Sequence, residues 1–147
     1  MSFLEGLKIS SSGLSAERVR MNVISSNLAN ANTTRTEEGG PFRRKDVLFS
    51  SKNSGKPFEN LMRQAFDPNL KEVKVAGIIE DRREPRLVFN PAHPDSNLDG
   101  MVAMPNISVM EEMVNLITST RSFEANATAL NETKSMAMTA VTIGRGG

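Results

Sequence analysis

The chain reads as an α+β protein: two long terminal helices paired as a coiled-coil-like layer, around a small β-rich middle domain with long loops. Three observations lead there. Residues 2–30 and 106–143 contain no proline and carry apolar residues at helical spacing. All seven prolines lie between Pro41 and Pro105. That same middle stretch holds the short β-branched and aromatic runs that favour strands. The boundaries that follow are an N-terminal arm at 1–32, a middle domain at 33–105 and a C-terminal arm at 106–147.

In the N-terminal arm, Leu7, Leu14, Met21 and Leu28 recur at intervals of seven, with Phe3, Ile24 and Ala31 on an adjoining track. Ser10, Ser11, Glu17 and Arg18 interrupt that second track. A helix of about 28 residues is about 42 Å long at 1.5 Å per residue. The run Asn27-Leu28-Ala29-Asn30-Ala31-Asn32-Thr33-Thr34 is expected to end it. Asn and Thr side chains compete for backbone hydrogen bonds, and Asn tolerates a left-handed stop.

In the middle, Gly39-Gly40-Pro41 marks a turn. Residues 46–49 and 73–79 read as strands, and 86–89 and 101–103 as shorter ones. Residues 91–95, with two prolines, read as a rigid loop. Residues 58–66 fit a short helix or part of a variable loop at 50–70. In the C-terminal arm, Ser108 and Glu111 have capping-box spacing. Val109, Met113, Leu116, Phe123, Ala127, Leu130, Ala137 and Val141 follow in steps of three and four, with Thr120 and Lys134 in the same track. Glycines 144, 146 and 147 close a helix of about 36 residues, about 54 Å long.

Composition narrows the function. There is no Cys, Trp or Tyr, so disulfides and thiolate metal ligands are excluded. Net charge is +1, and basic and acidic groups balance along the chain: 3 and 2 in residues 1–30, 12 and 11 in 31–103, 3 and 4 in 104–147. No one-signed face for nucleic acid or anionic lipid emerges. The N-terminus lacks a basic stretch followed by an apolar run, and no apolar segment approaches the length of a membrane span. On these signals alone the expected compartment is the cytoplasm.

Neither helix can bury its stripe against a middle domain less than about 30 Å across. The ends of the chain must therefore pair with each other, with other subunits, or both. Helical stability in water comes mostly from packing, and the first helix is rich in Ser and Asn. The arms are expected to be loosely held in the free subunit and to order on assembly. The candidate assembly interface is Leu7, Leu14, Met21, Ile24 and Leu28 with Val109, Met113, Leu116, Phe123, Leu130 and Val141.

Asn22-Val23-Ile24-Ser25-Ser26-Asn27-Leu28-Ala29-Asn30-Ala31-Asn32-Thr33 resembles the N-terminal signature of the flagellar axial proteins of rod and hook. Gly39-Gly40-Pro41-Phe42-Arg43-Arg44-Lys45-Asp46-Val47 looks like the segment that follows it in the proximal-rod members. Pro91-Ala92-His93-Pro94-Asp95, Gly100-Met101-Val102-Ala103-Met104-Pro105-Asn106-Ile107, Glu111-Glu112-Met113-Val114 and Arg121-Ser122-Phe123-Glu124-Ala125-Asn126 continue the likeness in order. It covers residues 9 to 143 and is weakest over 50–70. Phe42, Phe89, Met101 and Phe123 stand where the family usually has Tyr.

The resemblance implies a structural subunit of the proximal rod, a periplasmic driveshaft that carries torque toward the hook, and no enzyme. It implies export through the flagellar type III apparatus without signal cleavage, which displaces the cytoplasmic expectation. It also implies that the paired helices line the inner tube with the middle domain outside. The implied partners are further copies, the sibling rod proteins FlgB, FlgF and FlgG, and the rod-base adaptor FliE. No cofactor, nucleic acid or small-molecule substrate is implied.

The remaining signals read as structural. His93, the only histidine, has no company for a metal site or a triad and reads as a loop-packing residue. Glu111 and Glu112 are adjacent on a helix and so do not face each other; capping and helix-dipole roles fit them better. The clusters Arg43-Arg44-Lys45 and Arg82-Arg83 with Arg86 lie near Asp46, Asp81 and Glu84, and are expected to form ion pairs between subunits. Met110, Met113, Met136 and Met138 read as adaptable packing. The competing function is a soluble helical adaptor or chaperone-like binding module.

Overall fold

A computed structural model describes residues 3–53 and 71–145. In chain order the elements are α1 (Phe3–Ala29), β1 (Lys45–Asn53), β2 (Lys71–Glu80), β3 (Arg86–Phe89), β4 (Met101–Met104) and α2 (Val109–Arg145). This is the α+β arrangement expected, with long helices at the two ends and strands between them. The short helix considered for 58–66 lies outside the described residues. No helix among the described residues is long and apolar enough to cross a membrane.

The strands form two separate two-stranded sheets, β1 with β2 and β3 with β4. β3 and β4 run antiparallel, with Arg86 opposite Met104 and Phe89 opposite Met101. The loop between them is built by its own polar groups. Asn97 accepts backbone N–H bonds from Asp99 (3.0 Å) and Met101 (2.8 Å) on its Oδ1, and Gly100 N–H donates to the Asn97 carbonyl at 2.9 Å. Gly100 has φ +71°, and a Cβ there would lie 3.0 Å from the Phe89 ring and 3.2 Å from Pro91. Only glycine fits that corner. Gly39 and Gly40 also take left-handed φ, in a turn closed by Thr36 N–H to the Gly40 carbonyl at 2.9 Å.

α1 does not end on a left-handed Asn: among the described residues no non-glycine has positive φ. Instead Asn30 N–H donates to the Ser26 carbonyl (3.1 Å) and Ala31 N–H to the Leu28 carbonyl (3.3 Å), tightening the last turn. Asn30 Nδ2 adds a second donor to Ser26 at 2.9 Å. These side-chain and tight-turn bonds satisfy terminal carbonyls that a left-handed residue would otherwise serve. At the start of α2, Glu111 N–H points to Ser108 Oγ at 3.4 Å, the expected cap.

The described residues fall into two compact units. The first takes in the described residues within 1–19, 49–76 and 119–147, and the second those within 20–48 and 77–118. In the first unit Ala16 and Ser119 are buried. In the second, Val23, Ile24, Ala31, Val102, Pro105 and Ile107 are buried, and so are the polar side chains of Asn27 and Glu112.

Candidate functional site

In the second unit, three distant segments meet at one buried polar cluster. Asn27, near the end of α1, has no exposed surface, and Glu112, in the first turn of α2, is 1% exposed. The Asn27 amide grips one peptide of β1. Its Nδ2 donates to the Lys45 carbonyl at 2.8 Å, and its Oδ1 accepts the Lys45 N–H at 2.9 Å. Asn27 Nδ2 also donates to Glu112 Oε2 at 2.9 Å, while Arg44 Nε donates to Glu112 Oε1 at 2.8 Å. Each carboxylate oxygen thus has its own donor. Burial works against the Arg44 guanidinium, but the hydrogen bond and charge of Glu112, helped by Asp46, outweigh it and raise its pKa. Asp81 N–H donates to the Arg44 carbonyl at 2.7 Å, extending the cluster into the loop after β2.

Two expectations change here. Arg44 and Arg83 do not hold their charge for another subunit: Arg44 pairs with Glu112 and Asp46, and Arg83 Nε donates to Asp81 at 2.7 Å. The Arg83 hydrogen bond holds the Asp81 carboxyl below the usual carboxylate range. Glu112 is not merely a dipole-facing carboxylate on a helix surface. The first turn of α2 points it inward, where burial makes the Arg44 partner obligatory. Exposed Glu111, one residue earlier, keeps the capping position.

In the first unit the two helices meet over small and polar side chains. Ser119, fully buried, donates to Glu17 Oε2 at 2.6 Å. A Cβ added to Gly13 would lie 3.2 Å from both terminal atoms of Asn126, and one on Gly6 would lie 4.0 Å from Thr133. These facing pairs run antiparallel. Along the chain they fall at steps of seven: Gly6 and Gly13 on α1, then Ser119, Asn126 and Thr133 on α2. Asn27 and Glu112 lie on the same steps. This second heptad track sits one residue before Leu7, Leu14 and Leu28. The spacing is present in the sequence, but small and polar residues at steps of seven carry no apolar signal. Asn126 is tethered by its Nδ2 bond to the Ser122 carbonyl at 2.9 Å, so it yields little. Gly13→Val is therefore expected to weaken this seam by about 1–3 kcal/mol. It should lower the urea midpoint of the purified chain, and Asn126→Ala in the same chain should restore most of it.

The proposed interface residues divide by exposure. Ile24 is buried, and Leu7, Leu14, Met21, Leu28, Leu116, Phe123 and Leu130 are half-buried. Val109, Met113 and Val141 are exposed, at 47%, 49% and 57%. Met110, Val114 and Ile117 join the first two on one open apolar face of α2, and Met136, Met138 and Ile143 are exposed further along. The exposed positions of α1 are different in kind: Lys8, Ser11, Ser15, Arg18, Asn22, Ser25 and Ala29 are polar or small. Of the other motif residues, Pro105 is buried, Ala29, Asn32, Gly39, Gly40, Asn106 and Arg121 are exposed, and Asn30, Thr33, Pro41 and Asn126 are half-buried. His93 packs in its loop, its Nδ1 accepting the Asp95 N–H at 3.1 Å. Among the described residues no group of acidic or histidine side chains could hold a metal ion.

Residues 7–35 match the family described as flagella basal body rod protein, and residues 98–143 match the one described as flagellar basal body rod FlgEFG protein C-terminal. The chain is 44% identical over 152 aligned residues to the flagellar basal-body rod protein FlgC of Bacillus subtilis, covering 99% of this chain and all of the relative. It is 37% identical to FlgC of Borreliella burgdorferi over 152 residues and 37% identical to FlgC of Salmonella typhimurium over 145, again with 99% of this chain and the whole of each relative.

Proposed function

The chain belongs to the FlgC family of flagellar basal-body rod proteins, and we propose that its two helical arms are what build it into the rod. It is a structural subunit of the flagellar basal body. The observation that carries the assembly reading is the open apolar face of α2, with Val109, Met110, Met113, Val114 and Ile117 side by side at helical spacing. Contiguous exposed apolar patches mark interaction surfaces. The half-buried tracks of Leu7, Leu14, Met21 and Leu28 and of Leu116, Phe123 and Leu130 flank the polar seam and complete the interface.

On this reading the arms, 1–32 and 106–147, form the paired layer of the proximal rod, and 33–105 lies outside it. The neighbours are further copies, FlgB, FlgF and FlgG, with FliE at the base. The subunit reaches the periplasm through the flagellar type III apparatus and there transmits torque as part of the driveshaft. The alternative, a soluble adaptor, has no support from the relatives, which are rod proteins over their full length.

Outside the segments that meet at Asn27 and Glu112, the arms order on assembly. Four threonine hydroxyls of α2 bond back to their own helix: Thr118 to the Val114 carbonyl, Thr133 to Ala129, Thr139 to Ser135 and Thr142 to Met138, at 2.7–3.0 Å. Such back-bonding slightly destabilises a helix. Far-ultraviolet circular dichroism of the purified chain should show clearly less helix than the 27 residues of α1 and 37 of α2. A fully helical monomer that melts cooperatively would overturn this ordering step.

A further inference from the structure

We propose that Asn27, Arg44 and Glu112 form a registration lock, which joins the end of α1 to the start of α2 only when the start of β1 is in place. The lock closes contacts across 18, 68 and 85 residues of sequence. No one of them outweighs the chain entropy of such closures by much. Together they share atoms. The Asn27 amide copies the paired hydrogen bonds of a neighbouring strand on the Lys45 peptide, and its remaining donor reaches Glu112. A slip of one residue in any of the three segments removes both Lys45 bonds or strands the Glu112 carboxylate.

The chemistry of the lock is specific. Glu112 must present two acceptors, because a donor faces each oxygen. A glutamine would turn its NH₂ on either Asn27 or Arg44. Asn27 must present both a donor and an acceptor to Lys45. An aspartate would keep the acceptor, lose the donor, and set a second carboxylate against Glu112. The node therefore behaves as one unit, as fully satisfied buried polar networks do. It keeps residues 20–29, the start of β1 and residues 109–118 together in the free subunit, while the apolar face of α2 stays available.

The test is hydrogen–deuterium exchange at the Lys45 amide in the purified full-length chain. Glu112→Gln and Asn27→Asp both leave the Lys45 N–H its acceptor on residue 27, so independent contacts would leave its protection intact. The lock predicts a rise of roughly tenfold or more in Lys45 exchange in both variants, the scale of one lost hydrogen bond. Glu111→Gln, on the exposed neighbour, should leave it unchanged. Should Glu112→Gln unfold the chain, Arg44→Lys keeps the charge but loses the Nε donor, and the same rise is expected there. Wild-type-like Lys45 protection in the folded variants, or an unprotected Lys45 amide in the wild-type chain, overturns the lock. The rod assignment is read by assembly and motility, so failure of either is separable from the other.

Discussion

Glu112→Ala is expected to destabilise the subunit by about 3–5 kcal/mol, the cost of breaking a buried ion pair by removing one partner. The lower end of that range fits, because the Arg44 side chain keeps 18% of its surface exposed and water can partly replace the lost acceptor. Removing the carboxylate also leaves one Asn27 donor buried without its partner. A loss of this size is a large share of the 5–15 kcal/mol typical of a folded domain. The exposed pair of Lys45 and Glu80, 3.5 Å apart with side chains 41% and 51% exposed, is the natural comparison. Glu80→Ala should cost no more than about 1 kcal/mol, since solvent already screens that pair. Urea unfolding of the two variants checks the contrast. Equal, small effects would show that the Glu112 cluster contributes no more than a surface contact.

Ile117→Asp is expected to abolish rod assembly while leaving the isolated subunit nearly unchanged. Ile117 is 54% exposed in the subunit, so a carboxylate there is solvated and costs little. In the rod, the same position loses about 1.5–3 kcal/mol of apolar burial and also forces a charge out of water. Leu28→Asp and Leu116→Asp should block assembly too, but both sites are half-buried and the subunit itself would be weakened. On the proposed export route, which takes the chain unfolded, export should continue in all three. Secretion of the variant with no motility is the expected result. Swimming cells that carry Ile117→Asp would contradict the assignment of this face.

Most of the architecture was legible in the sequence because it rests on local periodicity. Apolar steps of three, four and seven marked α1 and α2, and β-branched runs marked all four strands. Ser108 was legible as a cap because its partner lies three residues away. The polar node was not legible, for a physical reason. Asn27 read as part of a helix stop and a motif, and Glu112 as a capping or dipole carboxylate; their contact is a tertiary one across 85 residues that no local pattern encodes. A carboxylate in a helical first turn normally faces solvent, so its burial had no signal. The faces of α2 were also only half legible. The apolar stripe was evident, but small and polar residues also form the seam in the first unit, with Gly13 against Asn126 and Glu17 against Ser119. Of the stripe, Phe123, Ala127, Leu130 and Ala137 are half-buried, while Val109, Met113 and Val141 stay exposed.

The chain has no cysteine, so single cysteines report their own surroundings. Ile117→Cys and Val141→Cys sit on exposed positions of α2. Maleimide labelling of each, in the purified subunit and in isolated basal bodies, measures whether that face is covered in the rod. Rapid labelling of the subunit and strong protection in the basal body is the result expected if α2 is buried by neighbouring subunits. Equal labelling in both states would contradict it.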